Sequence, residues 1–280
     1  MAIKDVLVQI DGSKHAAARL AAAIDLARVH AAHLTGLCLA VEPPVPAEVW
    51  GFMPPDLLAS QRKAMLEQAE MAAKQFRLAV DAAEVLGESR IVQVPDLNAA
   101  DIFIQHARHA DIVILSQAAP DEISALGGQF PADVVMASGR PAIVIPYIGR
   151  TPSLGRRVLV AWNGSREAAR AVNDALPILE RAQSVTVLSV NPDVSSAGEL
   201  RDPGADISLH LARHGVKVTA ARMIARGVSV GDAILNDIAD NSIVLLVMGA
   251  YGHSRLREVV LGGVTRHLLE HMTVPVFMSH

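Results

Sequence analysis

The segment Val6-Leu7-Val8-Gln9-Ile10-Asp11-Gly12-Ser13 returns as Val158-Leu159-Val160-Ala161-Trp162-Asn163-Gly164-Ser165, 152 residues further along, and each copy leads into an Ala-rich helical stretch. The two copies also end alike. Pro141-Ala142-Ile143-Val144-Ile145-Pro146 answers Pro275-Val276-Phe277-Met278, and each is preceded by a short helical pattern and a glycine pair, Gly127-Gly128 and Gly262-Gly263. A chain that repeats both its start and its finish in this way is read as two copies of one domain. Between them lies Gly149-Arg150-Thr151-Pro152-Ser153-Leu154-Gly155, whose Gly, Pro and Ser content has linker character. The expected domains are therefore 1–150 and 151–280.

Within each copy, short apolar runs alternate with longer helical patterns. Strands are predicted at 4–10, 34–41, 90–94, 111–116 and 142–146, and again at 156–162, 184–190, 216–224, 243–248 and 274–278. Helices are predicted at 14–31, 57–86, 98–109 and 131–138, then at 166–182, 204–214, 230–240 and 264–272. The strands are β-branched and apolar on both alternating faces, as required where helices cover both sides of a parallel sheet. Five strands joined by crossover helices predict an α/β fold twice over, each domain a doubly wound five-stranded parallel sheet. Ser229, with Asp232 three residues on, predicts a helix N-cap with an acidic group in the first turn. Pro177 predicts a kink or an early stop in helix 166–182. The stretch 41–55 carries Pro43, Pro44, Pro46, Pro54 and Pro55 and cannot pair in a sheet. It follows the second strand at the edge where such sheets bind ligands, so it reads either as a lid or partner contact or as a plain stiffened connection.

Composition narrows the function classes. With 51% hydrophobic and 19% charged residues in 280, the chain has material for packed cores and is not a disordered one. Its net charge of -4, with both signs mixed throughout, offers no basic stripe, so nucleic acid is not an expected partner. No apolar run approaches the ~20 residues of a membrane span. The opening Met-Ala-Ile-Lys-Asp runs into a strand without an apolar signal core, and the single cysteine, Cys38, lies in the apolar run Leu37-Cys38-Leu39. A cytoplasmic protein is expected.

The sharpest chemical signal is Met248-Gly249-Ala250-Tyr251-Gly252, then nine residues, then Gly262-Gly263-Val264-Thr265. It follows the strand Val244-Leu245-Leu246-Val247 and opens a helix. Glycines permit positive φ and close backbone approach, so successive N–H groups can converge on an anion that the helix dipole also favours. A phosphate chain fits such a loop; the alternative is that the glycines only shape a turn. In this spacing the sequence resembles the universal stress protein family, whose ATP-binding members carry Gly-x2-Gly-x9-Gly-Ser/Thr after the fourth strand. Gly249, Gly252 and Gly262 match that pattern, while its fourth position is Gly263, without a hydroxyl, and Thr265 stands nearby. The family also uses an Asp at the end of its first strand for the adenosine part. That place is Asp11 in the first copy and Asn163, followed by Gly164 and Ser165, in the second. Turn and N-cap chemistry is expected of these residues in any case.

The resemblance covers both copies and implies a fold of the adenine-nucleotide-binding, Rossmann-like type. It implies a mainly non-catalytic stress-response module that binds ATP or a related adenine nucleotide in the second copy, with a metal ion only as the nucleotide's companion. The expected nucleotide site is Asn163, Gly164, Gly249, Gly252, Gly262, Gly263 and Thr265, with no protein metal site. One-domain relatives dimerise along their last strands, which implies pairing of the two domains of this chain through 142–146 and 274–278, a homodimer of whole chains being left open. A nucleotide-free scaffold and a weak ATPase are the alternatives.

In the first copy the corresponding loop reads Ser116-Gln117-Ala118-Ala119-Pro120-Asp121-Glu122. Two glycines are gone and two carboxylates stand where phosphates would approach, so this copy reads as degenerate. Among the 11 histidines, His267-Leu268-Leu269-Glu270-His271 matches the spacing of inverted zinc metalloproteases. No later helix remains to complete a site, and a polar helix face is the better reading; His210 and His214 are read in the same way. His253 and Arg255 lie either near a phosphate or on a solvated loop. No Walker loop, Gly-x-Ser-x-Gly elbow or Gly-x-Gly-x-x-Gly fingerprint occurs, so nothing nominates a catalytic base or nucleophile.

Overall fold

The computed structural model describes residues 2–42, 54–94, 99–120, 126–148, 154–191, 203–251 and 263–280. Most of the proline-rich stretch, and Asp121, Glu122, Gly252, His253, Arg255 and Gly262, lie outside the described residues. The chain falls into two compact units, Ile3–Ser138 and Gly139–His280.

The first unit runs β1 (Asp5–Gln9), α1 (Ala16–His30), β2 (His33–Val41), α2 (Pro55–Ala82), β3 (Gly87–Val94), α3 (Ala99–Ala107), β4 (Ile112–Ser116) and α4 (Phe130–Ala137). Its sheet has the order β3-β2-β1-β4, with β1 parallel to both β2 and β4 and β2 parallel to β3. Val8 therefore lies between Gly36 and Ile114 and is fully buried. Gly36 is where α2 settles on the sheet, since a Cβ there would come within 2.7 Å of the Phe76 ring. Phe76 is 1% exposed, and burial of such a ring contributes roughly 1.5–3 kcal/mol.

The second unit runs β5 (Ala142–Ile145), β6 (Arg157–Ala161), α5 (Arg166–Leu179), β7 (Ser184–Val190), α6 (Pro203–Arg213), β8 (Val218–Met223), α7 (Val230–Asp240), β9 (Leu245–Gly249), α8 (Gly263–His271) and β10 (Val276–Ser279). Its strand order is β5-β10-β9-β6-β7-β8. Neighbours from β10 to β8 are parallel. β5 and β10 pair antiparallel, with Ile143 opposite Phe277 and Val144 opposite Val276. The last strand of the first repeat thus lies beside the last strand of the second, as the family resemblance implied, and it is this pairing that brings β5 into the Gly139–His280 unit.

Local signals were followed closely. Ser165 Oγ accepts the Ala168 N–H at 3.1 Å and Ser229 Oγ accepts the Asp232 N–H at 3.0 Å, so α5 and α7 begin at side-chain caps. Pro177 is accommodated in the last turn of α5, which stops at Leu179 rather than continuing to 182. No described helix is long and apolar enough to cross a membrane.

Candidate functional site

Each unit opens a cavity at the carboxyl ends of its central strands, where an open α/β sheet leaves a crevice. In the Gly139–His280 unit the cavity is about 500 Å³, and Asn163, Gly249, Gly263 and Thr265 all line it. Four residues scattered over a hundred positions of sequence are thereby brought together. Leu188, Val190 and Ile234 supply apolar wall.

The geometry of the β6 end explains Asn163 and Gly164. Asn163 Oδ1 accepts the Ser165 N–H at 3.1 Å while Gly164 takes φ +73°, and Ser165 then caps α5. In the first copy Asp11 Oδ1 accepts the Ser13 N–H at 3.0 Å, so the repeat extends to the turn itself. Thr265, 7% exposed, accepts the Tyr251 N–H at 3.4 Å through Oγ1 and so ties α8 to the chain leaving β9. Tyr251 stands at φ +52°, a left-handed conformation unusual for a bulky residue. Gly249 is required for another reason: a Cβ there would meet Ala168 N and Glu167 C at 2.5 Å. Strand β9 thus runs against the first turn of α5.

Glu167 is a residue that sequence reasoning missed. Its side chain is only 3% exposed, lines the cavity and accepts a hydrogen bond from Arg166 Nε. Burial pushes the carboxyl up, but hydrogen bonds from Arg166, the Glu167 backbone and Ser165, together with the Arg166 charge, outweigh it and hold Glu167 below the ordinary carboxylate range. Its position just after the Ser165 cap marked it as a first-turn acid, yet nothing local showed that it faces a cavity.

The cavity of the Ile3–Ser138 unit is about 630 Å³ and contains Asp11, Gly12, Ser116 and Gln117. A buried guanidinium, unmarked in the sequence, organises it. Arg19 is 1% exposed, donates from Nε to Gln9 O at 2.6 Å and from Nη1 to Ser116 Oγ, and pairs through Nη2 with Asp11 Oδ1 at 2.9 Å. Gln9 completes the network, donating to Asp11 Oδ2 at 2.9 Å and accepting the Ser116 N–H at 3.3 Å. Burial works to raise the Asp11 carboxyl, and Arg19 with Ser13 overcomes it, leaving its pKa lowered. At the repeat positions of Gln9 and Arg19 the second copy has Ala161 and Ala171, and Ser116 corresponds to Gly249. Cys38 lies behind this network, its thiol pushed up to about 11 by burial and by Asp11, and it is therefore unreactive.

The histidine pattern on α8 does not assemble a metal centre. His267 Nε2 bonds Asp232 Oδ1 at 2.8 Å, His271 Nδ1 bonds His267 O at 2.9 Å, and Glu270 pairs with Arg266. His267 also packs so closely on Gly231 that a Cβ there would approach its ring to 2.5 Å. The polar face expected of α8 is in fact partly a docking contact with α7. Rings of His210 and His214 lie 4.7 Å apart, and no cluster of metal-ligating side chains occurs among the described residues.

Comparison with known proteins agrees with this repeated architecture. The model of the universal stress protein family matches residues 2–146 and again 155–280. Universal stress protein Slr1230 of Synechocystis sp. is 27% identical over 175 residues, which cover 59% of this chain and 56% of that protein, about half its length. The crystal structure of a universal stress protein from Archaeoglobus fulgidus DSM 4304 aligns with a TM-score of 0.77 at 18% identity, over 98% of this chain and 96% of the other. A functionally unknown protein from Pseudomonas aeruginosa PAO1 aligns with a TM-score of 0.62 at 15% identity, over 99% and 92%. At these identities the structural likeness speaks for the fold alone. Two family matches in succession account for nearly the whole chain, and each carries its own set of strands and its own crevice: the chain belongs to the universal stress protein family, with two such domains in tandem.

Proposed function

We propose that the Gly139–His280 unit binds an adenine nucleotide, ATP first among them, and that the protein acts as a mainly non-catalytic, ligand-responsive module in a stress response. The observation that carries this reading is the convergence of Asn163, Gly249, Gly263 and Thr265 on one cavity at the N-terminus of α8. First-turn N–H groups of a helix lack intrahelical acceptors and favour an anion, while Leu188, Val190 and Ile234 suit a flat base. Gly252 and Gly262 belong to the same proposed loop, Gly164 shapes the turn under the sugar, and a metal ion would accompany the nucleotide. The phosphates lie toward α8, because the buried Glu167 carboxylate repels them from the start of α5.

Gly263→Ser tests the arrangement by gain rather than loss. A Cβ at Gly263 meets nothing within 4 Å, so the hydroxyl can be added without strain. One more hydrogen bond to a phosphate oxygen should tighten ATP binding about three- to tenfold in titration calorimetry. Unchanged or weaker affinity would remove the phosphates from α8. Glu167 favours a second reading, a nucleotide-free scaffold, since a carboxylate in the cavity opposes any anion. Native mass spectrometry for co-purified nucleotide separates the two, and ADP release measures any hydrolysis.

A further inference from the structure

We propose that the outer face of α2 is a self-association surface, on which a second copy of this chain lays its own α2 antiparallel about a twofold axis. α2 is apolar on two sides. One side, with Ala69, Ala73, Phe76 and Val80, is buried where the helix packs on β2 and β3. The other carries Leu57, Ala64, Met71 and Leu78 at seven-residue spacing, a single stripe along a helix of 28 residues. Leu57 is 45% exposed, Met71 57% and Leu78 61%, and Ala64 is exposed as well. A helix that only had to cover its sheet would be polar on this side.

The rows beside the stripe identify what fits it. Asp56, Lys63, Glu70 and Arg77 run along one flank at the same spacing, alternating in sign and all exposed, while Gln61, Gln68 and Gln75 run along the other. A parallel pair of these helices would set charges against glutamines. An antiparallel pair sets each flank against its own counterpart, because the axis returns every contact in reciprocal form. With that axis between Glu67 and Gln68, Leu57 meets Leu78 of the second copy, and the small Ala64 receives the long Met71. In the same register Asp56 lies across from Arg77, and Lys63 across from Glu70, so opposite charges face each other along the seam. Arg77 is steadied by Ser89 Oγ at 2.7 Å, a neutral partner that positions the guanidinium without cancelling its charge. Glu67 approaches its own copy at the axis.

Size sets the strength. At 1.5 Å per residue α2 is about 42 Å long, and a strip one helix diameter wide covers about 400–500 Å² of each copy. A stable interface takes about 800 Å² from each partner. The pairing is therefore weak and concentration-dependent. It does not rest on the nucleotide reading, since the seam is complete without a ligand.

Sedimentation equilibrium of the whole chain, from micromolar to millimolar concentration, should show a reversible monomer–dimer equilibrium. Met71→Glu, at an exposed position, should weaken it by about tenfold or more. Lys63→Glu and Glu70→Lys each bring like charges together twice across the axis and should each weaken it by about fivefold or more. The double variant Lys63→Glu with Glu70→Lys should regain the wild-type constant, and an equimolar mixture of the two single variants should form a heterodimer in preference to either homodimer. Glu67→Gln should tighten the dimer. All these positions are exposed, so thermal denaturation should show each variant folded like the wild type. The proposal is overturned if the chain stays monomeric at millimolar concentration, which would assign the stripe to a helix of another protein. It is also overturned if the dimer is indifferent to Met71→Glu, if the double variant is as weak as the single ones, or if Glu67→Gln loosens the pair.

Discussion

Arg19→Met will destabilise the Ile3–Ser138 unit by about 3–5 kcal/mol, the cost typical of removing one partner of a buried ion pair. Methionine keeps the volume of the stem, so the loss comes from the polar groups left behind: the Asp11 carboxylate, Gln9 O and Ser116 Oγ all give up a donor at once. Urea denaturation of the whole chain reads the effect as an earlier transition of this unit. Adding Asp11→Asn to Arg19→Met should recover part of the loss, because an amide is cheaper than a carboxylate to leave without its cation. A loss below about 1 kcal/mol, the range of an exposed pair, would mean that the guanidinium is solvated in the folded protein. The same network predicts the acid response. The Asp11 pKa is lowered from 3.8 in the folded state, so its contribution is complete above that value and is lost as pH falls through the lower folded one. Acidification from about pH 5 should therefore cost the wild type more stability than it costs Asp11→Asn.

Gly249→Ala will cost the Gly139–His280 unit about 1–3 kcal/mol, and it will weaken the nucleotide binding proposed for that unit as well. The added methyl would sit 2.5 Å from Ala168 N and Glu167 C, which are backbone atoms of the first turn of α5 and cannot rotate aside. Either β9 or the α5 terminus must move, and both carry walls of the cavity. Gly263→Ala is the matched control: its Cβ meets nothing within 4 Å, so stability should change by less than about 0.5 kcal/mol. Thermal denaturation of the two variants side by side decides the matter. Equal effects would show that the approach of β9 to α5 is looser than the glycine contact implies.

The contrast between Gly249 and Ser116 shows how two copies of one fold came to differ. α1 starts at Ala16 without a side-chain cap, whereas α5 starts at Arg166, the position that repeats Lys14, under the Ser165 cap. The earlier start brings the first turn of α5 against β9, and only glycine fits there. In the first copy the same place holds a serine hydroxyl, which Arg19 claims.

Much of this was legible in the residues alone. Apolar alternation and β-branching identified the strands, the 152-residue repeat identified two copies, and Ser229 with Asp232 marked a cap that forms as expected. These features rest on interactions within a few residues, so a linear pattern carries them. The convergence of Asn163, Gly249, Gly263 and Thr265 was foreshadowed by spacing, but their cavity exists only because β6 and β9 are neighbours in the sheet. Nothing local marks Arg19 within the predicted helix 14–31, and its burial depends on Ser116, 97 residues away. Glu167 carries no local signal of facing a cavity, and His267 read as part of a polar helix face until Asp232, 35 residues earlier, met it. Burial and partnership of polar side chains are set by elements distant in the chain, and no local periodicity records them. Sequence therefore specified the repeated α/β domain and the glycines of its second copy, while long-range packing settled where charge lies in each crevice.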